Sequence, residues 1–128
     1  MIITHAGCML AGFFSMTAGI TTALFMRRKR WWLRVHRRFG SVGAICVLLG
    51  FMTALFMVSR QTGRHFAVPH AWLGLATILS VLCTYTAGLM QFKIKTARVR
   101  SLHRWAGRGT FALMILNIVS GLFLAGIL

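Results

Sequence analysis

Apolar residues run along this chain in four long blocks rather than in alternation. Charged residues are missing from Met1–Met26, Phe39–Ser59, His65–Phe92 and Gly109–Leu128. Each block is about 20 residues or more, enough to cross a hydrocarbon core near 30 Å at 1.5 Å per residue. The pattern predicts four transmembrane helices, with spans at about 4–26, 36–59, 69–92 and 103–128. Connections of about ten residues favour antiparallel neighbours, so the expected fold is an all-α, up-down-up-down bundle forming a single membrane domain.

Composition sharpens this picture. The chain has 128 residues, 58% of them hydrophobic, with 15 Lys and Arg and no Asp or Glu. Chemistry that needs a carboxylate from this chain is excluded, including paired acid/base catalysis, Ca²⁺ cages and a Ser-His-Asp triad. Cys8, Cys46 and Cys83 lie far apart in apolar runs, so no C-x-x-C site for zinc, redox exchange or covalent haem attachment exists. Seven cations fall between Arg27 and Arg38 and six between Lys93 and Arg108, leaving only Arg60 and Arg64 elsewhere. Cytoplasmic loops are enriched in Lys and Arg, so the first and third connections are expected inside and both termini outside. The first block has no basic leader and no small-residue cleavage site, and it reads as an uncleaved span. Trp31, Trp32 and Trp105 stand beside the cations as interfacial anchors. The cations set orientation and contact anionic lipid. Nucleic acid is not an expected partner, because these loops are short and lie against headgroups.

Four of the five histidines, His5, His36, His70 and His103, stand near the N-terminal end of a span, one per helix. Alternating directions place His5 and His70 in an outer layer and His36 and His103 in an inner one. In a bundle, spans 1 and 3 are diagonal, as are 2 and 4, so each pair can face itself across the axis. One such pair per leaflet suits two bis-His haems. The competing reading of any single one is a helix-end histidine among headgroups.

Helical offsets of +4, +7, +14 and +18 return to nearly one face. From His5 they reach Met9, Gly12, Gly19 and Ala23; from His36, Gly40, Gly43, Gly50 and Ala54. From His70 they reach Gly74, Thr77, Thr84 and Gly88; from His103, Gly107, Thr110, Asn117 and Gly121. Fourteen of these sixteen are Gly, Ala or Thr, which make up only 38 of the 128 residues. Offset +18 is about 27 Å along a helix and is expected to be the depth of the opposite histidine layer. Offset +11 holds the bulkier Met16, Val47, Val81 and Met114. The expectation is a bundle axis hollowed in two slabs and filled between them. Small-residue stripes also make plain helix seams, and a non-redox anchor or assembly subunit packed that way is the alternative function.

These residues resemble the cytochrome b561 family: His5 in THAGCML, His36 in VHRRFG, His70 in PHAWLG and His103 in LHRWAGR. The H-x-x-x-G step recurs in the last three, giving Gly40, Gly74 and Gly107. The resemblance implies a four-helix core with two non-covalent b-type haems, ligated by His5 with His70 and by His36 with His103. It implies transmembrane electron transfer between outer and cytoplasmic-side redox partners or small reductants, as a reductase or an electron-transfer subunit. The likeness is to the bare core, found in bacteria or attached to extracellular sensing domains, which implies a bacterial inner membrane. The chain ends inside its last apolar run with no soluble domain, which favours a homo-oligomer or a subunit of a larger complex.

A bis-His iron has no open coordination position, so relay of electrons rather than oxygen activation is expected. Haem propionates must meet cations or dipoles in a chain without acids. Arg37 and Arg104, one residue beyond the inner ligands, are the first candidates, with Arg60 and Arg64 outside. Ligating imidazoles usually give their second N–H to a carboxylate or carbonyl, and here carbonyls or Thr hydroxyls must serve. His65 has no helical stripe and is expected to be a solvated loop histidine.

Overall fold

The apolar blocks form helices that outrun the hydrocarbon they must cross. The computed structural model describes residues 1–127; Leu128, at the end of the expected fourth span, lies outside them. The helices are α1 (Ile2–Phe25), α2 (Trp32–Gln61), α3 (Pro69–Lys93) and α4 (Ala97–Leu124), and no strand occurs among the described residues. All four are long and apolar enough to cross a membrane. At 24 to 30 residues they measure roughly 36 to 45 Å. The protein is an all-α integral membrane protein.

The ends differ from the sequence expectation for local reasons. Helix α4 begins at Ala97, not at 103, because Thr96 caps it by accepting a hydrogen bond from Val99 N–H. Helix α2 likewise starts at Trp32. Arg34, Arg98 and Arg100 therefore ride on helical extensions, not in loops. Pro69 opens α3, where its missing N–H costs no helical bond. Helix α4 stops at Leu124, and Gly126 follows with a φ of +69°.

The chain divides into two compact units, Met1–Gln61 and the remainder, each a helical hairpin. In the first, α1 packs antiparallel on α2; in the second, α3 packs on α4. Their seams are built differently. A Cβ on Gly12 would lie 2.7 Å from Val47 Cγ2, and one on Gly43 would lie 2.5 Å from Met16 Cγ and 3.1 Å from the Gly12 carbonyl. Backbone approaches backbone there, with the bulk of one helix set into the glycine of the other. The second seam is threaded by hydroxyls. Ser80 Oγ and Thr84 Oγ1 lie 2.7 and 2.8 Å from Thr110 Oγ1, and Thr110 donates to the Ser80 carbonyl. Elsewhere Thr17, Thr22, Thr53, Thr77 and Thr86 donate to the carbonyl four residues back, which satisfies them without water.

The small-residue stripe is the face each helix buries. Its buried positions are Met9, Gly12 and Gly19 in α1, Gly43, Val47 and Gly50 in α2, Thr77 and Val81 in α3, and Thr110, Met114 and Asn117 in α4; Thr22, Ile78 and Ala87 are buried beside it. Val47, Val81 and Met114, at offset +11, are each only 1% exposed. The opposite faces, with Phe14, Ile45, Leu79 and Leu116, are apolar and exposed, as lipid contact requires.

Candidate functional site

Each of the four histidines sits within the first two turns of its helix, and each reaches across its own hairpin. His5 Nδ1 lies 2.8 Å from the Gly50 carbonyl and His36 Nδ1 lies 2.9 Å from the Gly19 carbonyl. The contacts are reciprocal: Gly50 stands fourteen residues after His36, and Gly19 fourteen after His5. The second hairpin repeats this. His103 Nδ1 lies 2.9 Å from the carbonyl of Thr84, fourteen residues after His70. His70 Nδ1 lies 3.0 Å from Ser120 Oγ, and Ser120 in turn donates to the carbonyl of Asn117, fourteen residues after His103.

A carbonyl only accepts, so Nδ1 carries the proton at His5, His36 and His103. Ser120 spends its own proton on Asn117, so His70 Nδ1 is the donor there too. In the neutral ring, the lone pair then falls on Nε2, the tautomer an iron ligand needs. No side chain of acid type is involved; three backbone carbonyls and one serine hydroxyl take that place.

The stripe's glycines separate into three kinds. Gly12, Gly19, Gly43 and Gly50 are filled from the facing helix, as is proper to a seam. Gly88 and Gly121 meet an imidazole edge, since a Cβ on either would lie 3.0 Å from Cε1 of His103 or His70. Those two stand at offset +18, so each ring lies between the +14 and +18 positions of its neighbour, about 21–27 Å from the other layer. The H-x-x-x-G glycines differ from both kinds. A Cβ on Gly40 would have nothing within 4 Å, one on Gly74 would find only Asn117 Nδ2 at 3.9 Å, and one on Gly107 only Thr84 Cγ2 at 3.7 Å. Within each hairpin there is room at offset +4 beside Gly40, Gly74 and Gly107, and in the second hairpin Gly88 and Gly121 at offset +18 make room for the histidine of the facing helix.

Gly40, Gly74 and Gly107 leave space one turn from imidazoles whose Nε2 carries the lone pair that a haem iron takes, so the residue types present fit that group. Asn117 adds a buried polar atom: its side chain is 2% exposed and its Oδ1 has no hydrogen-bond partner. No group of three or more His, Cys, Asp or Glu converges among the described residues.

Arg37 and Arg104 are exposed on α2 and α4, each one residue past its histidine. Arg37 lines a shallow groove with Arg30, Arg34, Arg38, Leu33 and Val42, which concentrates positive potential at that end of α2. Arg108 lies over the Trp105 ring at 4.7 Å and Arg60 over Phe56 at 5.1 Å. His65 lies in the connection between α2 and α3, away from any helical stripe, but it is half-buried with its Nδ1 out of water and so is not the solvated loop histidine expected. Sequence reasoning missed Ser120, which falls off the chosen offsets. Its only signal was a hydroxyl next to the +18 glycine.

No curated protein and no solved structure matches the chain. A family model described as eukaryotic cytochrome b561 matches residues 4–122, which take in all four histidines and the helices that carry them. By that match, the chain belongs to the cytochrome b561 family.

Proposed function

We propose that this chain passes single electrons across its membrane through two b-type haems, one toward each face, each held between two imidazoles. The observation that carries this is the common setting of His5, His36, His70 and His103. All four donate from Nδ1 to an acceptor on the facing helix, which fixes the ring and leaves the lone pair on Nε2, the nitrogen an iron takes. Each haem, when bound, supplies a reversible one-electron iron couple.

The chain's own residues divide the remaining work. His5 with His70 form the outer pair and His36 with His103 the inner pair, an assignment supported by the alternating direction of the spans. Gly40, Gly74 and Gly107 leave room for the macrocycles. Arg37 and Arg104 face the propionates of the inner haem, and Arg60 and Arg64 serve the outer one. The apolar, acid-free spans keep water and counter-charge away from the path. The basic connections lie on the cytoplasmic side, with both termini outside, and electrons pass between redox partners or small reductants on the two sides.

An absorption spectrum of the purified protein tests this directly. Low-spin reduced-minus-oxidised bands with two haems per chain are expected; a well-folded, colourless protein would refute the proposal. The non-redox anchor draws support from the Gly12–Val47 and Gly43–Met16 seam, yet a seam gives no reason for an oriented imidazole on every helix.

A further inference from the structure

Three of the four imidazoles rest on backbone carbonyls, which no substitution removes. His70 rests on a side chain, the Ser120 hydroxyl at 3.0 Å. The hydroxyl is fixed in turn, because it donates to the Asn117 carbonyl at 3.0 Å. Gly121, the next residue, makes room for the same edge of the ring, since a Cβ there would lie 3.0 Å from Cε1 and 3.5 Å from Nδ1. The His70 ring is thus located by a hydroxyl and a glycine on consecutive residues of α4. At the other end of the same hairpin, the Thr84 carbonyl and Gly88 locate His103. The two ends match in geometry and differ in acceptor: an amide carbonyl at one, an alcohol at the other.

We propose that Ser120 is a positioning residue for the haem ligand His70, and that it sets the potential of the His70 haem separately from that of its companion. The proposal rests on the di-haem reading above. An imidazole that hydrogen-bonds through its outer N–H is a more basic ligand and favours the ferric iron. Ser120 supplies that bond at one ligand only, so its effect is confined to one haem. It acts through His70 and touches neither iron nor electron partner.

The test is a spectroscopically monitored redox titration, with low-spin electron paramagnetic resonance spectra, of the purified holoprotein and its Ser120→Ala and Ser120→Thr variants. The His70 haem is identified beforehand as the one lost in His70→Ala. Ser120→Ala is expected to raise the potential of that haem and alter its g-values, leaving the other haem unmoved. Ser120→Thr, which keeps the hydroxyl, is expected to restore both. Selective loss of the His70 haem in Ser120→Ala, with retention in Ser120→Thr, supports the same conclusion. Two unmoved potentials, an equal shift of both, loss of both haems, or failure of Ser120→Thr to restore would each overturn it. Parent protein lacking haem fails at the first spectrum, and that result strikes the di-haem reading itself.

Discussion

Gly40 and Gly43 lie one turn apart on α2, and alanine at the two positions should have opposite consequences. A Cβ at Gly40 meets nothing within 4 Å, so within its hairpin the methyl is free of cost. Alanine there removes the entropic penalty of a helical glycine, worth up to about 1 kcal/mol. The apoprotein should be unchanged or slightly more stable. A macrocycle seated beside His36 would meet the same methyl, and overpacking a well-fitted site costs typically 1–3 kcal/mol. That corresponds to about a 5- to 150-fold loss of haem affinity. At Gly43 the methyl would lie 2.5 Å from Met16 Cγ and 3.1 Å from the Gly12 carbonyl. Met16 can move, but the carbonyl is backbone, so α1 and α2 must part. Gly43→Ala should destabilise the hairpin by about 1–3 kcal/mol with or without haem. Thermal unfolding of the apoprotein in detergent, followed by circular dichroism, reads the first quantity, and haem titration into the same preparations reads the second. If Gly40→Ala binds haem as tightly as the parent, or unfolds at a lower temperature in the apo form, the space beside His36 is not a macrocycle's.

His36→Ala and His103→Ala should remove the same haem, the double change should be little worse than either, and His36→Ala with His70→Ala should remove both haems; haem per chain and a two-step titration decide it. His65→Ala should leave both haems in place by the same measurement. Replacing Arg37 and Arg104 with Gln should lower the potential of the inner haem, because positive charge favours the less positive iron, and titrations at low and high ionic strength should show the difference shrinking with salt. Gly88→Ala and Gly121→Ala each place a methyl 3.0 Å from an imidazole Cε1, so each should displace one ring by a few tenths of an ångström and shift the spectrum of one haem, a different one in each variant.

The stripe was legible in the sequence because burial along a helix has a period, and most of the residues each hairpin buries fall on it. Its meaning was not legible, because one residue type serves two ends. Gly12 and Gly40 are the same letter at neighbouring offsets, yet Gly12 takes Val47 into its notch while Gly40 opens on nothing. The difference lies in the register of the facing helix, which no single span contains. Helix starts were missed where one capping side chain, Thr96, outweighed six residues of basic sequence. The imidazole acceptors were hidden for another reason: a backbone carbonyl carries no letter at all.

Register links these points. In an antiparallel pair, facing residues keep a nearly constant total of their numbers, so one contact fixes the rest. In α1 and α2, Gly12–Val47, Gly43–Met16 and Gly50–Met9 share one total, and the two histidine-to-carbonyl contacts share another, one helical turn lower. In α3 and α4, Gly74–Asn117, Gly107–Thr84, Gly88–His103 and Gly121–His70 share a single total. The register that seats each ring beside its neighbour's offset +18 therefore also sets Gly74 and Gly107 opposite offset +14, where Asn117 and Thr84 stand back far enough to leave them open. Orientation of the ligand and room beside it are one geometric decision, taken by the seam. A hairpin slipped by one turn would lose both together, which is why the midplane bulk of Val47, Val81 and Met114 belongs to the site as much as the histidines do.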